Sequence, residues 1–227
     1  MRQDDAEGSS SPKNLTGRQQ AVLVGTLLGD GCLAKHGQFH RLHVKHKAAH
    51  RALAEFKRDI FADFVTMPLH GFDQKLGQRS FPCVQFATRT SPLFTEWHER
   101  FYRDGRKIVP NGIASHLSSL AMTVWFMDDG AADHAGITLQ THSFTFDEVE
   151  LLVDALRVRF DLAANPRKNR GRWVIYVRSA SVGRLREILL PELLPGFTYK
   201  IDLEPRRDHT LAPDSSGQGD DMVRPHR

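Results

Sequence analysis

Two apolar segments, one in each half of the chain, share a pattern of hydrophobic and polar positions. Leu23–Gly31 and Met122–Gly130 each run through apolar residues to an Asp-Gly pair, and they are 99 residues apart. Apolar positions through the second segment recur at the spacing of one helix face: Leu117, Leu120, Ala121, Val124 and Trp125. This spacing predicts a buried helix. Each segment is therefore interpreted as a helix, with the final glycine as a left-handed helix stop.

The segments that follow the first helix alternate between strand and helix patterns. Apolar and polar residues alternate over 39–46 and 79–88, which predicts strands with one buried face. A helical pattern fills 48–64 between them. Ser91-Pro92 opens another helix, because proline is well tolerated at the first helical position.

The second half repeats the same order. Strand-like alternation covers 137–142 and 172–178. Thr145–Glu148 is a capping box that opens a helix between them, and a last helix contains 182–189. The pattern predicts an α+β fold in which helix, strands, helix, strands and helix occur twice.

Composition narrows the class of protein. The 227 residues are 40% hydrophobic and 26% charged, which is enough apolar side chain for a core. The longest apolar run, Leu120–Met127, is too short for a membrane span, which needs about 18 residues. Two cysteines cannot form a disulfide framework and favour an intracellular protein. Residues 1–14 and 206–227 are polar, lack a signal or transit peptide and are predicted to be flexible tails.

Charge is distributed unevenly between the two halves. The chain carries a net charge of +4, but residues 16–115 carry +7 and residues 116–205 carry −2. A basic first half is typical of a surface that binds a polyanion.

With these residues in place, the chain resembles the LAGLIDADG homing endonucleases, in the single-chain form with two motif copies. The two apolar segments resemble the two nine-residue motifs, and 107–129, 141–148 and 197–200 resemble intron-encoded members. The likeness covers about residues 15–203. A single Asp-Gly after an apolar helix is usually a plain turn or cap, but two copies one repeat apart are specific.

The resemblance implies two αββαββα repeats related by a pseudo-twofold axis, over residues 15–106 and 117–205, with residues 107–116 as a linker. The motif helices would pack at the axis, and the antiparallel strands would form a saddle on double-stranded DNA. It also implies a monomer that cuts both strands of a long, non-palindromic site of about twenty base pairs, since a nine-residue strand spans ~30 Å.

The resemblance also assigns the site. Asp30 and Asp129 would bind Mg²⁺ (or Mn²⁺), with the backbone of Gly29 and Asp128 as further ligands, and Lys107 and Lys200 are the accompanying basic residues. Hard divalent ions prefer such oxygen ligands, and two ions about 3.5–4 Å apart can stabilise the attacking and leaving oxygens together.

The polar faces of the predicted strands are the expected DNA-binding surface. In the first half this face holds Arg41, His43, Lys45, Arg79 and Gln85, and in the second half it holds Thr138, Gln140, His142, Tyr176 and Arg178. A basic hairpin tip adds Arg167, Lys168, Arg170 and Arg172.

Three alternatives stay open from the sequence. The protein could be an RNA-binding maturase that assists intron splicing, or a DNA-binding regulator without cleavage activity. His43, His46 and His50 have a spacing that could bind zinc, but no cysteine or acid stands at metal-site spacing, which favours surface or DNA-facing histidines. Gly25 and Gly29 correspond to the bulkier Val124 and Asp128, so the helix interface is expected to be asymmetric.

Overall fold

The elements of the first half follow the predicted order. The computed structural model describes residues 12–202, so the predicted tails lie outside the described residues except for 12–14. The first repeat contains α1 (Gly17–Leu28), β1 (Cys32–His36), β2 (Phe39–Lys47), α2 (Arg51–Ile60), β3 (His70–Leu76), β4 (Arg79–Ala87) and α3 (Pro92–Phe101). A short hairpin of β5 (Tyr102–Arg103) and β6 (Arg106–Lys107) then leads toward the second repeat.

The second repeat has the same order of elements. It contains α4 (Ser119–Asp129), β7 (Gly130–Asp133), β8 (Gly136–Gln140), α5 (Phe146–Phe160), β9 (Ala164–Asn169), β10 (Arg172–Val177) and α6 (Val182–Leu189). The sheets are β1-β2-β4-β3 and β7-β8-β10-β9, and every pairing within them is antiparallel. The predicted α+β class with two αββαββα repeats is confirmed.

The helices begin where the sequence places caps. The Thr145 hydroxyl accepts from the Glu148 amide at 3.3 Å, and the Glu148 carboxylate accepts from the Thr145 amide at 2.7 Å. Ser91 caps α3 by accepting from the Leu93 amide. Between these caps, the helix predicted over 48–64 is shorter as an α-helix, because 3-10 turns occupy Ala48–His50 and Ala62–Phe64.

Close packing of α1 against α4 depends on glycine. A Cβ atom on Gly25 would lie 2.7 Å from Cβ of Val124, and one on Gly29 would lie 2.6 Å from Cβ of Asp128. Real side chains do not approach so closely, so Gly25 within α1 and Gly29 at its C-terminal cap make the room that the two larger residues of α4 fill. The interface is asymmetric, as expected from the sequence.

The glycine after each Asp is not a left-handed helix stop, and that expectation was wrong. Gly130 has φ −78° and ψ 146°, and Gly31 does not have a positive φ. Gly130 is itself the first residue of β7, because the chain passes from the helix directly into an extended strand. Glycine is needed there for space, since a Cβ atom would collide with Thr26 at Gly31 and with Phe126 at Gly130.

No helix within residues 12–202 is both long enough and apolar enough to cross a bilayer.

Candidate active site and nucleic-acid interface

Asp30 and Asp129, called the cleft acids below, stand at the C-terminal ends of α1 and α4 and line one cleft together with Lys107. The Asp30 side chain is 51% exposed, so its carboxylate is open to a ligand. Partial burial at the cleft wall and the neighbouring Asp128 carboxylate raise the pKa of Asp30, and burial together with Asp30 and Asp128 raises the pKa of Asp129 to about 8. Crowded carboxylates of this kind favour a bound cation, which would relieve their repulsion.

A lysine lies against the end of each helix. Nζ of Lys107 donates to the carbonyls of Gly29 at 3.1 Å and Gly31 at 2.8 Å. Nζ of Lys200 donates to the carbonyls of Met127 at 2.6 Å and Asp128 at 3.1 Å. Each ammonium group therefore complements the negative end of a helix dipole.

The carbonyls of Gly29 and Asp128 are the two backbone oxygens predicted to bind metal, and each accepts a hydrogen bond from a lysine. A carbonyl oxygen has two lone pairs, so one remains for another partner. Two carboxylates and two carbonyls form an all-oxygen donor set, which fits a hard divalent cation such as Mg²⁺.

Asp128 has a side-chain role that the sequence did not reveal. Its carboxylate is completely buried and lies 2.7 Å from Nζ of Lys57, which is also completely buried. His46 lies beside them, and ligand-type atoms of Asp30, His46 and Asp128 lie within 4.8 Å of one another. Lys57 was missed because it stands in an otherwise amphipathic helix, where a lysine usually faces solvent.

Of the three histidines that share a sequence spacing, His46 and His50 line one pocket with Asp30 and Asp128, and His43 is not part of that pocket. His43 lies on the exposed face of β2 opposite Cys32, whereas His46 faces inward, toward Asp30 and Asp128. His50 packs against the Phe197 ring at 5.0 Å.

The first sheet presents the predicted polar face. Arg41, His43 and Lys45 alternate along β2 with buried residues, and Lys45 lies opposite Gln85 on β4. Arg79 is exposed at the start of β4. Lys47 and His70 belong to the same face and were not predicted, although the alternation along β2 already includes Lys47.

The second sheet and the loop after it hold the remaining predicted DNA-binding residues close together. Thr138 and Tyr176 are cross-strand neighbours, and Gln140 lies two residues further along the same face of β8. His142 lines the cleft with both acids. Arg178, just after β10, donates to Asn165. Within the described part of the chain, Nε of Arg41 and Oε1 of Gln140 are buried without a hydrogen-bond partner.

The basic hairpin tip is divided between two faces. Arg170 and Arg172 flank the turn, where Arg170 and Gly171 have φ of +50° and +80°. Arg167 lies in β9 and is paired with Asp133, with its guanidinium 4.6 Å from the centre of the Tyr176 ring.

Lys168 is next to Arg167 in β9 and therefore points to the opposite face. Its Nζ lies 5.0 Å from the centre of the Trp173 ring. The Lys168 side chain therefore lies on the other side of β9 from that of Arg167, although both residues border one surface pocket.

Comparison with known proteins agrees with this architecture. The model of the LAGLIDADG DNA endonuclease family matches residues 20–185. The chain is 27% identical over 188 residues to the cytochrome b mRNA maturase bI2 of Debaryomyces hansenii, covering 79% of this chain and 72% of the relative. It is 23% identical over 193 residues to the probable intron-encoded endonuclease 1 of Wickerhamomyces canadensis, covering 81% and 83%.

A solved structure has the same fold. The homing endonuclease I-WcaI bound to its DNA recognition sequence superposes with a TM-score of 0.79 at 21% identity, covering 86% of this chain and 90% of that one.

Proposed function

Since the chain belongs to the LAGLIDADG DNA endonuclease family, we propose that it cuts both strands of a long, non-palindromic DNA site by metal-dependent hydrolysis. The predicted enzyme class, a DNA endonuclease of this type, is confirmed. The target site and the cleavage chemistry are the proposal.

The pair of cleft acids carries this proposal. Asp30 and Asp129 come from two separate repeats, yet they share one cleft, where burial and then neighbouring carboxylates raise the pKa of both. Two crowded carboxylates at paired helix ends have no evident structural role, and they suit a divalent cation at a phosphodiester.

The chain's own residues have separate roles in this reaction. Asp30 and Asp129 would hold Mg²⁺ or Mn²⁺, which when bound supplies Lewis-acid activation of water and of the scissile phosphate. Lys107 and Lys200 hold the carbonyl beside each acid and keep a positive charge near the phosphate. The unpartnered Nε of Arg41 is suited to donate to a base edge or a phosphate, and the unpartnered Oε1 of Gln140 is suited to accept from an amino group on a base edge.

The two halves differ, so the proposed site is non-palindromic. In the first sheet β2 and β4 have nine residues each, whereas β8 has five and β10 has six. At ~3.3 Å per residue the first half spans the longer stretch of DNA. One chain carries both acids, so we propose that it acts as a monomer.

The test is cleavage of a plasmid library of long random targets with and without Mg²⁺. Asp30→Asn and Asp129→Asn should each abolish double-strand cutting, while binding to the selected site survives because the sheet faces are unchanged. Asp59→Asn is the matched control, since Asp59 is exposed and pairs with its neighbour Arg58. Full cutting by either cleft-acid variant would contradict the assignment.

A second candidate function is intron splicing by an RNA-binding maturase, favoured by the similarity to a named mRNA maturase. Competition binding decides between them. A maturase would hold a structured RNA more tightly than the selected DNA duplex, and its RNA binding would survive Asp30→Asn. Specific DNA binding without any cutting by the wild-type protein would instead indicate a regulator.

A further inference from the structure

Lys57 is a lysine of α2 that lies wholly inside the protein beside the cleft. Its Nζ lies 2.7 Å from each carboxylate oxygen of Asp128 and 3.3 Å from Nε2 of His46. An ammonium group has three donors and no acceptor, so these three contacts satisfy it. Lysine is almost never fully buried unless it is paired in this way.

His46 lies between Lys57 and Asp30 and contacts both. Because Nε2 of His46 accepts from Lys57, the ring proton is on Nδ1, which lies 3.7 Å from Oδ2 of Asp30. A ring nitrogen that accepts from an ammonium group carries no proton, so the His46 ring is neutral. At 3.7 Å this contact is longer than a hydrogen bond, and the Nδ1 proton favours a position of the Asp30 carboxylate on this side of the ring.

Asp128 supports the backbone of Asp30 directly. Helix α1 ends at Leu28. In a continuing helix the Asp30 amide would donate to the Thr26 carbonyl, but here the Gly31 amide donates to that carbonyl, at 2.9 Å. The Asp30 amide donates instead to Oδ2 of Asp128 at 3.2 Å. The Asp128 side chain reaches this position because Gly29 has no side chain.

The second motif lacks an equivalent support. Asp129 is the last residue of α4, and the residue of the first motif that corresponds to Asp128 is Gly29, which cannot reach across. We propose that Lys57 is a positioning residue that acts through Asp128 and His46 on Asp30 alone. It follows that cutting of the strand served by Asp30 depends on Lys57, whereas cutting of the other strand does not. The strand dependence rests on the proposed nuclease function.

The first test needs neither metal nor DNA. Backbone amide exchange is measured by NMR on the metal-free full chain with Lys57→Met, which keeps the length of the side chain without its charge. The Asp30 amide should exchange at least about tenfold faster, while the Asp129 amide changes less than about twofold. Arg58→Met is the control, since Arg58 is adjacent in α2 and pairs with exposed Asp59. Unchanged exchange at Asp30 would overturn the proposal.

The second test separates the two strands. A plasmid carrying the target selected from the library is labelled on each strand and cut with Mg²⁺. Lys57→Met should accumulate nicked circles, with one strand cut about tenfold more slowly, and it should be the strand that Asp30→Asn cuts most slowly. Equal slowing of both strands would contradict the positioning role. If the wild-type protein cuts no DNA, the proposed function fails, and the exchange experiment still decides the role of Lys57.

A pair of double variants covers the case in which Lys57→Met does not fold, since it leaves a buried carboxylate without a partner. Lys57→Met with Asp128→Asn removes both charges and keeps an amide oxygen that can accept from the Asp30 amide. Lys57→Met with Asp128→Ala removes that acceptor as well. Slower exchange at Asp30 in the asparagine variant supports the route through Asp128, and equal exchange in both variants overturns the proposal, because Lys57 would then have no path to Asp30.

Discussion

Lys107 and Lys200 each place one ammonium group on the carbonyl that precedes a cleft acid. Burial lowers the pKa of both lysines, so their charge is costly and is held in place by the helix ends. Lys107→Met and Lys200→Met should each reduce the cleavage rate by about 10²–10³-fold, as the loss of one electrostatic donor does elsewhere. Single-turnover rates and affinities for the selected DNA would be compared. If the affinity falls and the rate does not, the lysines serve only to bind phosphate.

The cleft acids predict a pH dependence of metal binding. The pKa of Asp129 is about 8 without metal, so below that pH the carboxyl must lose a proton before it binds a cation. Affinity for Mg²⁺ should rise by roughly tenfold per pH unit between pH 6 and 8 and then level off. Calorimetry in buffers of different ionisation enthalpy would count the released protons. Affinity that is the same at pH 6 and pH 8 would contradict this assignment.

The raised pKa of Asp129 also affects the free energy of unfolding, which falls as the pH rises, whereas metal affinity increases. Between the ordinary aspartate pKa near 4 and about 8, the folded metal-free protein keeps a proton that the unfolded chain has lost. Stability without metal therefore falls as the pH rises through this range, and Asp129→Asn should flatten the decline. Denaturant midpoints at pH 5 and pH 8 would measure it.

At the scale of elements, α1 and α4 pack so closely that a side chain larger than glycine at position 25 does not fit between them. A Cβ atom on Gly25 would meet both the Ala121 carbonyl and the Val124 side chain. Because one of these is backbone, the helices would have to separate, and Gly25→Ala should destabilise the fold by about 1–3 kcal/mol. Gly17→Ala is the control, since nothing lies within 4 Å of its Cβ position. Equal denaturant midpoints for the two variants would show that the helices can shift at no cost.

Local pattern predicts most elements of this fold, because helix caps and strand alternation act within a few residues. It predicts the start of α3 and α5 and the buried faces of β2 and β4. It does not predict β3 as a separate strand, because β3 lies at a sheet edge with both faces accessible to water and so has no apolar alternation.

The sequence predicts the part of the site that lies in the repeated motifs and misses the part that depends on contacts between distant residues. Two repeated Asp-Gly pairs point to the cleft acids, and the fold brings both into one cleft. The burial of Lys57 depends on Asp128, which is 71 residues away, so no local pattern reveals it. The sequence does show that the first motif has Gly29 where the second has Asp128, which indicates asymmetry. The spacing of residues does not show that Lys57 in α2 is the partner of Asp128.

At the scale of the whole molecule, the two halves present different amounts of free positive charge to DNA. Residues 16–115 carry a net +7 and residues 116–205 carry −2. The structure sharpens this contrast, since Arg41 and Lys45 lie on the polar face of β2, whereas Arg167 is paired with Asp133.

This asymmetry predicts different salt dependences for the two halves. Each phosphate contact contributes about one unit to the slope of log affinity against log salt concentration. Replacing Arg41 and Lys45 together with glutamine should flatten the slope by about two. Replacing Arg167 and Lys168 together should flatten it by less than about one, because the first is already neutralised by Asp133 and the second lies over Trp173 on the opposite face. Affinities for the selected DNA across a salt series would decide, and equal slopes or the reverse order would show that the second half holds the DNA as strongly as the first.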